Sequence, residues 1–219
     1  MNYYLDCEFI ECAKQRKVLG FKVGAPVPTI DLISIALVAE DGRELYALNA
    51  DCELEYAWAD EWVRDNVLRP IWEQYAPSAM RGYSVNYFSL EATRRIFKEN
   101  GLSRGQLAWN LLTFVHHEAY EGFYGSAGEF FEAPFEDSHS FYGYFSDYDW
   151  VVFCQLFGRM IQLPKGFPMF CLDLKQEMVR LNAPDSIKPN NSNEHNALND
   201  ARFNRDLHER LSAQYPNVA

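Results

Sequence analysis

The chain has 219 residues, 48% of them hydrophobic and 16% aromatic, enough for one domain with a sizeable core and too apolar for a disordered polymer. Its 20 Lys and Arg against 31 Asp and Glu leave a net charge of −11, which argues against a partner held by a broad basic surface but not against an enzyme that meets phosphates through bound metal. Five scattered cysteines without a Cys-x-x-Cys pair read as reduced thiols rather than a disulfide framework or zinc site, no signal peptide opens the chain, and no apolar run approaches the roughly 20 residues that span a bilayer, so cytoplasm, with no membrane, is the expected compartment.

The first predicted element is a strand, Tyr3–Ile10, carrying Asp6 and Glu8. Side chains alternate along a strand, so the two acids share a face. Burying like charges together costs several kcal/mol unless something positive lies between them, and a hard divalent cation is the usual solution. A solvated edge strand has the same spelling.

Lys14–Thr29 follows as an expected loop with Lys14, Arg16, Lys17, Lys22 and two prolines. It reads either as a plain connection or as a small electrostatic guide for phosphates. Ile30–Ala39 is nearly all apolar, as in a central strand, and Asp41-Gly42 turns the chain into an antiparallel Arg43–Leu48. A helix over Trp62–Trp72 is expected to break near Pro70. Ser89 caps another as far as Asn100, with Gly101 as its stop. Ser103 and Gln106 have capping-box spacing ahead of a helix to about Tyr120, with His116 and His117 on its surface.

Glu121–Asp137, rich in Gly, Phe and Glu, reads as a surface loop or lid. Beyond it come a strand at Ser140–Phe145, a helix at Asp149–Leu156, another at Leu172–Leu181, a flexible Ala183–Asn193, and a last helix over Glu194–Gln214. Strands first and then strand–helix alternation give an α/β protein, one domain with a mixed sheet flanked by helices.

Candidate partners for Asp6 and Glu8 lie far away in the chain. Asp149 falls just past a predicted strand end, where ligands collect in open α/β sheets, although an acid at a helix start is also a routine cap. Asp200 falls one turn into the last helix beside its apolar face. His195, at or before that helix's first turn, can hang over the same spot. Trp150, beside Asp149, is either a base-stacking platform or a packed helix residue; Phe9, beside Glu8, alternates toward the core.

In YYLDCEFIE, DLISIALVAEDGRELYAL, YDWVVFCQLFG and HNALNDAR, spread over nearly the whole chain, the sequence resembles the DEDD superfamily of 3′→5′ exonucleases. It is most similar to the branch whose last motif carries His, and within it to bacterial polyadenylate-preferring exoribonucleases. The longer Lys14–Thr29 loop and the Glu121–Asp137 stretch depart from that pattern. The resemblance implies a ribonuclease H-like fold and two Mg²⁺ or Mn²⁺ ions held by Asp6, Glu8, Asp149 and Asp200, with His195 as general base. It also implies Cys7 and Phe9 lining the nucleoside pocket, a single-stranded RNA 3′ end as substrate with nucleoside 5′-monophosphates as products, and a homodimer.

The chemistry is coherent without the family. Two ions about 3.5–4 Å apart serve the attacking and leaving oxygens of a phosphodiester, four carboxylates nearly balance them, and a histidine of pKa about 6.5 can take the water's proton. Two alternatives stand beside this reading: a DNA exonuclease with the same site, and a non-catalytic interaction module on the fold.

Overall fold

Strand β1 (Asn2–Val18) pairs antiparallel with β2 (Phe21–Ala39), which pairs antiparallel with β3 (Glu44–Leu48). On its other edge β1 meets β4 (Ser140–Gly143) in parallel, and β4 meets the two-residue β5 (Leu172–Asp173), also parallel. The order is β3-β2-β1-β4-β5. With helices on both faces this is the expected α/β, ribonuclease H-like mixed sheet. The structure, a computed structural model, describes residues 1–19, 21–76, 88–116, 139–191 and 194–216. The expected Glu121–Asp137 lid, His117 and the helix continuation to Tyr120 lie outside the described residues.

Alternation along β1 sorts the core. Tyr3, Leu5 and Cys7 join Leu32, Ile35 and Leu37 on one face, under α5 (Arg104–Val115) and α6 (Asp147–Phe157), where Phe141, Trp150 and Phe153 pack. On the opposite face Tyr4, Ala36 and Val38 lie under Ala197 and Ala201 of α8 (Ala197–Gln214). Further along that face Ile10, Ile33 and Leu48 lie under α1 (Leu54–Ala59), α2 (Glu61–Val63), α3 (Arg69–Tyr75) and α4 (Leu90–Asn100). A β-bulge sets this division: Glu8 opposes Ser34 while Phe9 opposes Leu32. The extra residue, Ile33, packs with Ile10, and the register changes beside the two acids.

Local signals account for most boundaries. Ser89 accepts a hydrogen bond from the Ala92 amide, Ser103 and Gln106 form the expected capping box, and Asn196 accepts from the Asn199 amide to open α8. Gly42, with φ of 91°, supplies the turn into β3. The remaining helix, α7 (Leu174–Arg180), starts at Asp173.

Four expectations need correction. Lys14–Thr29 is not a loop: β1 and β2 continue as a two-stranded arm to Val18 and Phe21. Pro26 and Pro28 fall on an edge segment of the sheet: β3 covers only Ser34–Val38 of β2, and among the described residues no other strand pairs beside the arm. The helix near Pro70 does not break there. A π-helical turn, Arg64–Leu68, precedes the proline, which occupies the first turn of α3, where a missing N–H costs little. Leu172 and Asp173 form a strand before α7 begins, and His116 is buried against Phe167 and His139 rather than on the surface. Burial, then the neighbouring His139, pushes the His116 pKa down to about 4. Among the described residues no helix is long and apolar enough to cross a membrane.

Candidate active site

The even-numbered face of β1 is covered at Tyr4 by α8 and at Ile10 by the α1–α3 segment. Asp6 and Glu8 fall between these two covers. Asp200, in the first turn of α8, brings a third carboxylate, and one oxygen from each of the three lies within 4.8 Å of the others. Glu8 is buried and Asp6 and Asp200 half-buried. The buried Asn204, one turn further along α8, donates to the Leu5 carbonyl at 2.9 Å and fixes the helix on the strand beside Asp6.

Asp149 approaches from the opposite side. It sits in the first turn of α6, buried, and its Oδ1 accepts the Cys7 backbone N–H at 2.8 Å, the amide lying between the two strand acids. Gly143 makes this approach possible: a Cβ there would lie 2.6 Å from the Ser146 Cβ and 3.3 Å from the Leu5 carbonyl oxygen. Ser146 is held in turn by its amide donating to Asp173 Oδ2 at 2.8 Å. Asp149 is thus adjacent to the cluster, although it stands outside the tight group of three.

The electrostatics distinguish these acids from others in the protein. Burial, followed by the charges of Asp149, Glu8 and Asp200, holds the Asp6 carboxyl well above the usual carboxylate range. Glu8 is pushed up to about 8 by burial and then by Asp200 and Asp149. Asp149 is pushed up to about 7 by burial, against the lowering effect of the Cys7 amide. Asp200 is raised by burial, opposed by Asn191, whose side-chain amide donates to Oδ1, and by the His195 backbone amide, 2.9 Å from Oδ2. Among the described residues no Lys or Arg forms an ion pair with any of the four. Desolvated carboxylates repelling one another without a protein cation have the chemistry of a divalent-metal site. The donor set is all oxygen, which suits Mg²⁺ or Mn²⁺.

His195 lies just before α8, at the N-terminal side of the Asn196 cap, with φ of 65°. Its half-buried imidazole packs edge-to-face on Trp62, with ring centroids 4.7 Å apart. The other expected binding residues fare differently. Cys7 is buried, and its useful group is the backbone amide. Phe9 is half-buried and edge-on to Tyr148 at 5.9 Å. Trp150 is buried, stacked on Phe153 at 4.9 Å and tilted against Phe141, so its indole belongs to the core. Asn191 and Trp62 had no signal in sequence: one lies in a stretch read as flexible, the other in a helix start, and only folding brings Asn191 to Asp200 and Trp62 to His195.

No family model matches the sequence. Two curated relatives do, each named 3′-5′ exoribonuclease and each from Mycobacterium tuberculosis, one from strain CDC 1551/Oshkosh and one from strain ATCC 25618/H37Rv. Each is 30% identical over 202 residues, covering 92% of this chain and 88% of the relative. The chain belongs to the 3′-5′ exoribonuclease family. Membership gives the acidic cluster a context, since the substrate of an exoribonuclease is a chain of phosphodiesters.

Proposed function

We propose that this protein is a metal-dependent 3′→5′ exoribonuclease that hydrolyses single-stranded RNA from its 3′ end to nucleoside 5′-monophosphates, in the DEDD manner with a histidine base. One observation carries the reading: Asp6, Glu8 and Asp200 converge from opposite ends of the chain within 4.8 Å, with raised pKa values and, among the described residues, no Lys or Arg paired with them. Asp6, Glu8, Asp200 and Asp149 would hold two Mg²⁺ or Mn²⁺ ions. Bound there, such a pair supplies a water of lowered pKa and stabilises charge on the leaving 3′-oxygen.

The chain's own groups do the rest. His195 takes the proton of the attacking water on its imidazole and passes it to solvent as the bond from phosphorus to the 3′-oxygen breaks. Asp200, accepting from the His195 amide, fixes where that residue stands relative to the cluster. Cys7 keeps Asp149 aimed at the strand through its N–H. Phe9 and Cys7, after the first acid, border the nucleoside site. Polyadenylate as substrate and a homodimer as working unit rest on the sequence resemblance, and five unpaired cysteines suit a reducing cytoplasm.

The test is incubation of the folded protein with 3′- and 5′-labelled single-stranded RNA and Mn²⁺, with matched DNA and a panel of homopolymer RNAs, products being identified by mass. Stepwise shortening from the 3′ end with release of nucleoside 5′-monophosphates is expected, and chelation with EDTA should stop it. Intact RNA in the presence of Mn²⁺ would end this reading, and faster cleavage of DNA would replace it with the DNA exonuclease.

A further inference from the structure

The two ends of the β1–β2 pair differ in charge. At one end the turn into β3 holds Glu40, Asp41 and Glu44 around Arg43. At the other the strands run on as the arm, and from Cys12 to Ile30 the sequence has no Asp or Glu, although the whole chain has 31. The charges of the arm are Lys14, Arg16, Lys17 and Lys22. Lys14 serves the fold, 3.0 Å from Asp31 and 3.5 Å from Glu53. Beyond it the register sets Lys17 directly opposite Lys22. Like charges opposed across a strand pair destabilise it, so that rung suits an anion supplied from outside.

The arm also leaves apolar side chains in water. Leu19 is 93% exposed, Phe21 76% and Val27 64%, out of keeping with a segment that only braces the core. Two kinds of occupant suit a basic and apolar ribbon: a strand of another protein, or single-stranded nucleic acid. A protein strand would add along the outer edge of β2, where Pro26 and Pro28 blunt the edge against addition. Between the pairs Lys14–Val27 and Arg16–Val23 the register also breaks, with Gly24 at φ of 81°. Nucleic acid needs no such edge, since cations track its phosphates and exposed apolar surface receives its bases. Arg16 stands on the strand that carries Glu8, about 25 Å further along at 3.3 Å per residue. A strand whose 3′ end sits at the acids can therefore lay its upstream nucleotides along the one acid-free stretch of this hairpin.

We infer that the β1–β2 arm docks single-stranded RNA upstream of the scissile bond, with Arg16, Lys17 and Lys22 meeting its phosphates; this rests on reading the site as that of an exoribonuclease.

Binding is read apart from cleavage, by fluorescence anisotropy in EDTA, with a single-stranded RNA of about 16 nucleotides, the upper end of what one single-strand-binding module covers. Wild type is compared with a triple variant, Arg16→Gln, Lys17→Gln and Lys22→Gln, and with a charge-keeping triple, Arg16→Lys, Lys17→Arg and Lys22→Arg. The neutral triple should bind more weakly, and its slope of log affinity against log salt should be shallower by about 2, at about 0.7 per phosphate contact on a single strand. The charge-keeping triple should match wild type in both. Phe21→Ala should weaken binding with the salt slope unchanged. In Mn²⁺ the neutral triple should show a raised KM on the long RNA, an unchanged kcat, and wild-type cleavage of a dinucleotide too short to reach the arm. A salt slope equal to wild type in the neutral triple overturns the inference, whatever Phe21→Ala does. If that variant instead changes only the number of chains per particle in sedimentation, the arm joins copies of this chain and the inference also falls. Arm-dependent binding in EDTA without cleavage in Mn²⁺ would retire the exoribonuclease reading and keep the docking arm; cleavage with arm-independent binding would do the reverse.

Discussion

Two groups of buried acid sit a few residues apart on neighbouring strands and are treated in opposite ways. Asp31, 2% exposed at the root of the β1–β2 arm, is met by Lys14 at 3.0 Å and Arg104 at 3.6 Å, and it accepts the Glu53 amide at 2.9 Å. Asp6, Glu8 and Asp200 have one another, with Asp149 alongside, and no lysine or arginine among the described residues. The first arrangement is complete as folded and serves the fold. The second leaves its charge to be balanced from outside, which separates an acid that serves the fold from one suited to meet a cation, where residue type and burial alone cannot.

The sharpest way to break this contrast is to remove one acid from each group. Asp6→Ala or Asp200→Ala should abolish turnover and Mn²⁺ binding by calorimetry, while leaving the metal-free protein at least as stable, because a mutual repulsion has gone. His195→Ala should come next, losing about 10²–10⁴-fold in kcat with Mn²⁺ binding retained, the usual size of a general-base contribution. Equal metal loss in both kinds of variant would show the roles to be misassigned. Asp31→Ala should do the reverse of Asp6→Ala: about 1–3 kcal/mol of stability lost in urea denaturation, since the Glu53 amide loses its acceptor and two cations their partner, with kcat per folded molecule unchanged.

The smallest effect is in pH dependence. Glu8 and Asp149 have folded pKa values of about 8 and about 7, above their ordinary 4.5 and 3.8. Their contribution is fully present below the ordinary values and is lost as pH rises toward 8, so the melting temperature in EDTA should fall across that window. Mn²⁺ should flatten the fall. His116 has the opposite sign: depressed from 6.5 to about 4, it contributes stability above 6.5 that is lost as pH drops through 4. A melting temperature in EDTA that climbs between pH 5 and pH 8 would contradict the raised carboxylates.

The strands, the capping serines and the acids of the cleft were legible because each signal is local: alternation puts Asp6 and Glu8 on one face whatever the rest of the chain does, and Ser103 with Gln106 marks a helix start from four residues. The arm was not, since its prolines read as loop until it is known that, among the described residues, no further strand lies beside them. Trp150 and Trp62 show the same limit more plainly. One tryptophan adjoins a site acid in sequence and packs into the core; the other is more than fifty residues from any of the four and lies against His195. Adjacency along the chain governs direction on a strand but says little about which face of a later helix meets the cleft. His116 was misread for a related reason, because its burial depends on Phe167 arriving from another part of the chain.

The bond from the Cys7 amide to Asp149 has an evolutionary corollary. The donor belongs to the backbone, so a substitution such as Cys7→Ala or Cys7→Ser keeps the tether, and drift at this codon can proceed without detaching α6 from the strand. Proline alone erases the hydrogen that Asp149 receives. Position 7 is thereby open to small side chains and closed to one imino acid, although it lies between two acids of the cluster.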